Sequence, residues 1–234
     1  MEFDEFVLAA ATADLATEPR ARDHADAVEF RMDLATSPLD QLRGYDGDLP
    51  VLATNRVVHE GGESADDDAR LDALVAALDV DAVTAVDLEL SALRDGDAAR
   101  VVDAARDRGA GVVVSVHDFE ATPPRADLAG LLTAAADRGD VGKLAVWAHD
   151  RGDVLDLLAA THERDAAGDR VATMAMGEAG RHSRAVAPLY GSRIGYAPVD
   201  PADATAPGQY DLATLDRLVG DLRGRDQTVA GDQT

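Results

Sequence analysis

The chain has 234 residues and a formal net charge of −23, set by 45 acidic against 22 basic side chains, and it contains no cysteine. That length suits one large α/β domain or two small ones; so acidic a surface repels nucleic acid and anionic lipid, and the lack of thiols excludes disulfides, thiolate metal sites and a cysteine nucleophile. No apolar run approaches the ~20 residues of a membrane span, and the acidic start Met1-Glu2-Phe3-Asp4-Glu5 does not read as a signal peptide, so a cytoplasmic protein is expected.

Short apolar runs rich in Val, Ala and Leu recur at 6–10, 27–32, 49–53, 83–88, 111–116, 143–147, 170–175 and 193–196. They lack strict polar alternation, which suits strands covered on both faces, as in a parallel sheet flanked by helices. Between them, 66–78, 91–108, 124–138, 150–163 and 210–222 carry apolar residues at three- and four-residue spacing and read as helices. Ser91 and Pro123-Pro124 mark helix starts; Arg108-Gly109 and Arg138-Gly139 mark ends. Shorter helices over 18–26, 38–43 and 180–189 complete the alternation. Eight strand-helix units predict one α/β domain, a (β/α)8 TIM barrel over 1–223, close to the usual ~250 residues. Residues 224–234 read as a polar, frayed tail.

In such a barrel the chemistry gathers at the C-terminal ends of the strands, and this sequence places charge there. Strand 2 ends in Glu29-Phe30-Arg31-Met32-Asp33, with Glu29, Arg31 and Asp33 on one parity. Strand 3 runs into Thr54-Asn55-Arg56 and then Glu60-Gly61-Gly62, and strand 4 ends in Asp87-Leu88-Glu89. Strand 5 supplies Ser115-Val116-His117-Asp118-Phe119, strand 6 carries Lys143, and strand 7 ends in Met174-Ala175-Met176-Gly177-Glu178. Charges inside apolar strands are expensive unless paired, so a cluster drawn from six strands points to a site.

Lys143 stands apart as the one lysine among 22 basic residues, the rest being arginine. A guanidinium stays protonated, whereas a lysine that is desolvated or set among cations can lose its proton and attack a carbonyl. Schiff-base chemistry is the sharp reading; a surface lysine lying along a strand end is the plain one. Plain readings exist for the others as well. Glu29 and Arg31 could pair across strands, and Asp87 and Glu89 could satisfy neighbouring arginines or the lysine. His117 could be a satisfied loop histidine, Met174 and Met176 core residues, and Arg184 a surface charge. The glycines of Met176-Gly177-Glu178-Ala179-Gly180 and Tyr190-Gly191-Ser192 match neither the P-loop nor the dinucleotide spacing.

Taken together, Glu29-Phe30-Arg31, Arg56 with Glu60-Gly61-Gly62, Asp87-Leu88-Glu89, Ser115 to Phe119, Lys143-Leu144-Ala145-Val146, Met174-Ala175-Met176-Gly177, Ser183-Arg184 and Ala206-Pro207-Gly208-Gln209 resemble type I 3-dehydroquinase in order and spacing. The resemblance implies a (β/α)8 barrel, no cofactor, no metal and a homodimer. It further implies that the substrate is 3-dehydroquinate, dehydrated to 3-dehydroshikimate through a lysine Schiff base in the shikimate pathway. Carried over residue by residue, Lys143 would form the imine, His117 would act as general base and acid, and Glu60 would fix the imidazole tautomer. Arg184 and Gln209 would bind the substrate carboxylate, and Glu29, Arg31 and Arg56 would line the hydroxyl side. Met174 and Met176 would press on the bound ring. Thr205 stands where the family usually has Ser, adding a methyl to a mobile loop; Tyr190 stands at a usual Phe position, and Gly195-Tyr196-Ala197 departs from Thr-Phe-Gly. These departures bear on the lid, not the chemistry. Arg31, Arg56 and Arg184, with desolvation, would favour the free amine of Lys143, and Asp87 and Glu89 would oppose them.

Three rivals stay open. A Schiff-base aldolase acting on a phosphorylated sugar would need a phosphate loop that the glycine spacing does not supply. A metal-dependent barrel would hold a divalent ion on Glu29, Asp87, Glu89 and His117, and a binding protein would use the same pocket without turnover. The Asp excess, single lysine and 4% aromatic content also resemble a halophilic protein adapted to a salt-filled cytoplasm, where molar salt shrinks the Debye length to about 3 Å.

Overall fold

The computed structural model describes residues 1–200, 202 and 206–224. Its strands are β1 (Val7–Thr12), β2 (Ala27–Arg31), β3 (Val51–Thr54), β4 (Val83–Glu89), β5 (Gly111–Asp118), β6 (Val141–Trp147), β7 (Val171–Met176) and β8 (Ile194–Pro198). The helices are α1 (Pro38–Arg43), α2 (Asp67–Ala77), α3 (Leu90–Asp95), α4 (Ala99–Asp107), α5 (Arg125–Ala136), α6 (Arg151–Ala166), α7 (Gly177–Gly180), α8 (Ser183–Val186) and α9 (Leu212–Arg223). The ladder order is β7-β6-β5-β4-β3-β2-β1-β8, with parallel pairing throughout. A bridge between Val171 and Ser192, with the Arg193 N–H donating to the Val171 carbonyl at 2.7 Å, brings β7 and β8 together. The fold is a nearly closed, single-domain (β/α)8 barrel.

Both faces of the strands are buried, which is why the sequence shows runs where a half-exposed strand would alternate. Inward positions carry small or apolar side chains at the bottom of the barrel, Ala9, Leu52, Ala85, Val113 and Ile194, with Phe3 packed against them. Outward positions such as Phe30, Val86 and Val114 meet Leu71 and Leu74 of α2 and Val101 and Ala105 of α4. Leu74 is fully buried, so truncation to alanine there would cost about 2–5 kcal/mol. Small residues low in the barrel leave the upper level to long charged side chains.

The helix starts follow side-chain caps. Asp66 and Asp211 accept from the backbone at the heads of α2 and α9, and Asp150 forms a reciprocal capping box with Asp153 at α6. The helix expected over 91–108 is broken into α3 and α4, because Gly96 adopts φ 91° and ends the first segment. Ser91 does not cap it; that position falls to Glu89. The helix expected over 18–26 is a 3₁₀ turn over Leu15–Arg20 containing Pro19, and 180–189 divides into the end of α7, α8 and a 3₁₀ turn over Ala187–Tyr190. Proline interrupts backbone donation in both 3₁₀ turns. Apart from Gly224, the tail expected over 224–234 lies outside the described residues, as does Thr205. Among the described residues no helix is long and apolar enough to cross a membrane.

Candidate active site

At the C-terminal mouth of the barrel a cleft encloses about 520 Å³, its open entrance included. Glu29 and Arg31 of β2 line it, with Arg56 beyond β3, Glu60 from the turn that follows, His117 of β5 and Lys143 of β6. Met174 and Met176 of β7, Arg184 of α8 and Gln209 line it too, so that of the site residues expected from the sequence all but Thr205, which lies outside the described residues, are brought together, and Tyr196 of β8 joins them.

Lys143 is 4% exposed, not a surface residue. Its Nζ lies 3.0 Å from Asp87 Oδ2, 3.9 Å from Glu29 Oε1 and 4.2 Å from the centroid of the Tyr196 ring. Asp87 also accepts from Arg56 Nη2 at 2.6 Å and from the Ser115 hydroxyl. Glu89 accepts from Arg56 Nη1 at 2.9 Å and from Arg70 Nη1 at 2.6 Å. Buried charges of alternating sign thus run from Arg70 on α2 through Glu89, Arg56 and Asp87 to Lys143. Burial alone would raise the Asp87 carboxyl, but Arg56 and then Lys143 outweigh it and hold it well below the usual carboxylate range. Asp87 and Glu89 serve the cations, as the plain reading has it.

Glu29 and Arg31 do not form the cross-strand pair considered for them. Arg31 forks onto Asp33, with Nε to Oδ1 at 2.9 Å and Nη2 to Oδ2 at 2.7 Å, while Glu29 accepts from the Thr54 hydroxyl at 3.2 Å. Because both oxygens of Glu89 are taken by guanidinium groups, the ligand set of the metal-dependent rival does not converge. Among the described residues no group of three or more His, Asp and Glu side chains is arranged to hold a metal ion.

His117 stands two residues beyond Ser115, which is in register with Lys143, and so roughly 6–7 Å further along the strand direction. Its Nδ1 is 2.9 Å from Glu60 Oε2; the same oxygen accepts from the His117 backbone N–H at 3.2 Å, and Oε1 accepts from the Ser91 hydroxyl at 3.2 Å. Donors converging on this carboxylate assign the proton to Nδ1 and leave Nε2 with a free lone pair. Burial first, then Arg56 and Lys143, push the imidazole well below its ordinary pKa, so it is neutral. Burial raises the Glu60 carboxyl in turn, and Arg56 works against that shift. The Gly61-Gly62 pair lets the loop fold this closely: Gly61 has φ 82°, and a Cβ at Gly62 would lie 2.0 Å from the Arg56 carbonyl oxygen.

Arg184 is 4% exposed, and its Nε has no hydrogen-bond partner among the described residues. Nη2 reaches the Pro207 carbonyl only at 3.5 Å, and burial pulls the guanidinium pKa down to about 10. A desolvated, under-coordinated cation at the rim suits an incoming anion. Gln209 accepts from the Ala206 N–H at 3.3 Å, holding the segment that follows Thr205.

Three contributors escaped the sequence reading. Ser91 looked like a helix cap and is a donor to Glu60; Arg70, 2% exposed, looked like one more surface arginine on an amphipathic helix. Neither has a local signal, since their partners lie 31 and 19 residues away. Tyr196 did have one: it shares inward parity with Ile194 in the last strand.

A model of the type I 3-dehydroquinase family matches residues 7–225. The 3-dehydroquinate dehydratase of Haloarcula marismortui is 65% identical over 226 residues, covering 95% of this chain and 99% of its own. Among solved structures, the 3-dehydroquinate dehydratase of Geobacillus kaustophilus superposes with a TM-score of 0.83 at 27% identity, covering 96% of this chain and 93% of its own. The type I enzyme of Clostridium difficile with covalently modified comenic acid also reaches 0.83, at 26% identity over 95% and 94% of the two chains. The matched span runs from the first strand through the last helix and contains every wall of the cleft, so the chain belongs to the type I 3-dehydroquinase family.

Proposed function

We propose that this cleft removes water from 3-dehydroquinate to give 3-dehydroshikimate through an imine on Lys143, with His117 carrying the protons. As a type I 3-dehydroquinase the chain is a hydro-lyase. One observation carries the assignment of steps to residues: the single lysine lies buried in a cleft beside a neutral imidazole that a carboxylate orients.

Lys143 rests against Asp87, so its proton must leave before Nζ can attack. Arg56 and Lys143 hold the Asp87 carboxyl well below the usual carboxylate range, which makes it a poor base, and both oxygens of Glu89 are engaged by arginine; the proton is therefore assigned to the free Nε2 of His117. Once the ketone is a protonated imine, the C=N bond draws electrons from the neighbouring carbon and acidifies its proton. His117 takes that proton, and Glu60 at 2.9 Å stabilises the imidazolium. The same imidazolium then protonates the departing hydroxyl. A positioned acid and base of this kind contributes about 10²–10⁴-fold. The iminium is itself the electron sink, so the chemistry calls on no cofactor.

Arg184, with Gln209, binds the substrate carboxylate; Arg31, Arg56 and Glu29 meet its hydroxyls, and Met174 and Met176 press on the ring. Thr205 is assigned to substrate binding on the family resemblance alone. The relative solved with covalently modified comenic acid supports a covalent site. The acidic surface and the likeness to a Haloarcula enzyme support action in a salt-filled cytoplasm, and the family resemblance supports a homodimer. Replacing Lys143 by arginine keeps the charge and removes the imine. Lys143→Arg should lose turnover, followed by product absorbance, with its far-ultraviolet circular dichroism intact; substantial dehydratase activity in that variant would rule out covalent catalysis.

A further inference from the structure

One wall of the cleft carries a hydroxyl that these steps leave unused. Tyr196 is 4% exposed, and its hydroxyl oxygen is buried with no hydrogen-bond partner among the described residues. The ring faces Lys143, whose Nζ stands 4.2 Å from its centroid. Burial first, then the carboxylates of Glu29 and Asp87, push the phenol well above its ordinary pKa. The group therefore keeps its proton and remains a donor. A buried hydroxyl left without a partner is unfavourable until a water or a ligand atom completes it, and the residue that carries this one lines the substrate cleft.

On the reading that Lys143 forms the imine, we propose that the Tyr196 hydroxyl donates a hydrogen bond to the substrate's ketone oxygen as Lys143 adds to the carbonyl and as that oxygen departs. In the addition, the Nζ lone pair makes the C–N bond and the C=O π pair moves to oxygen. The oxygen gains one proton as nitrogen loses one, which gives the carbinolamine. In the departure, the nitrogen lone pair makes C=N, the C–O bond breaks, and the oxygen takes one further proton and leaves as water. His117 relays these protons. Tyr196 keeps its own and offers a donor where negative charge develops on oxygen, the arrangement that lowers such barriers. The reach is sufficient, because the reacting carbon is bonded to the atom over the ring, and a C–O bond plus an O–H···O contact of about 2.7 Å returns to the ring's hydroxyl edge. The ring face separately favours the cation at Nζ, first ammonium and then iminium.

Tyr196→Phe separates the two contributions, because it keeps the ring and deletes only the hydroxyl. Imine formation is followed by rapid quenching into borohydride, and kcat/KM is measured with substrate carrying deuterium at the carbon that loses its proton. The Phe variant is expected to form imine about tenfold more slowly. It should also show a smaller isotope effect on kcat/KM, since proton abstraction then limits less. A merely structural role would not move the isotope effect in that direction. Parent rates of trapping and an unchanged isotope effect in a folded Phe variant would overturn the proposal for Tyr196 and leave the imine assignment standing. A parent enzyme that turns over with no adduct on Lys143 would overturn both.

Discussion

Removing the charge of Glu60 while keeping its shape, as in Glu60→Gln, isolates what the carboxylate does for His117. An amide oxygen can still accept from Nδ1, now 2.9 Å from the carboxylate, but the bond becomes neutral. Hydrogen bonds to charged groups contribute about 1.5–3 kcal/mol and neutral ones about 0.5–1.5. The difference, roughly 1–1.5 kcal/mol, converts to about five- to tenfold in rate. His117→Ala deletes the acid and base outright and should cost about 10²–10⁴-fold. Turnover by product absorbance and imine by borohydride trapping, measured side by side, distinguish the two. His117→Ala should form imine more slowly and accumulate what it forms, because nothing then takes the carbon-bound proton, and Glu60→Gln should turn over slowly. The pH profile adds a sign. His117 is held neutral with its pKa well below 6.5, so kcat/KM should rise with pH only on the acid side and stay level through neutrality. Taking away the negative neighbour makes the imidazolium harder to form, so that rise should move to still lower pH in Glu60→Gln. Equal losses in the two variants, or an acid limb displaced upward, would refute the orienting role.

Arg184→Gln should raise KM by about ten- to a hundredfold with a smaller effect on kcat, the cost of one charge-assisted contact to the substrate carboxylate; an unchanged KM would remove Arg184 from that role. Salt should act on the fold more than on the chemistry, because a net charge of −23 is unscreened over about 30 Å at 0.01 M and over only about 3 Å at 1 M. Circular dichroism and turnover followed together from molar KCl downward should fall together. Activity that collapses while the dichroism and Tm stay constant would place the effect of salt at the site.

The barrel was legible because burial of both strand faces leaves a mark at each strand separately, and Val112 to Val114 or Ala27 and Val28 need no partner to be read. The cleft was legible for a related reason. Glu29, Arg31, Asp87 and His117 sit toward the ends of their strands and Lys143 lies inside an apolar one, and charge in those places is costly unless used. What escaped depends on distant contacts. Arg70 has the local appearance of a helix-surface arginine, and only folding brings it to Glu89. Ser91 sits where a cap is plausible, yet the turn at Gly96 and the position of Glu60 decide its use. The break between α3 and α4 was hidden because a lone glycine is tolerated in a helical pattern, and its left-handed φ becomes evident only in three dimensions.

The chemistry proposed for this cleft requires the one lysine to carry the substrate. Incubating the protein with 3-dehydroquinate and borohydride in molar KCl, then digesting with trypsin and mapping masses, tests it directly. A lysine that bears the reduced substrate is no longer cut, so a single adduct is expected on an intact fragment spanning 139–151, which contains Lys143. An adduct on any other residue, or none at all in a preparation that is turning over, would contradict it.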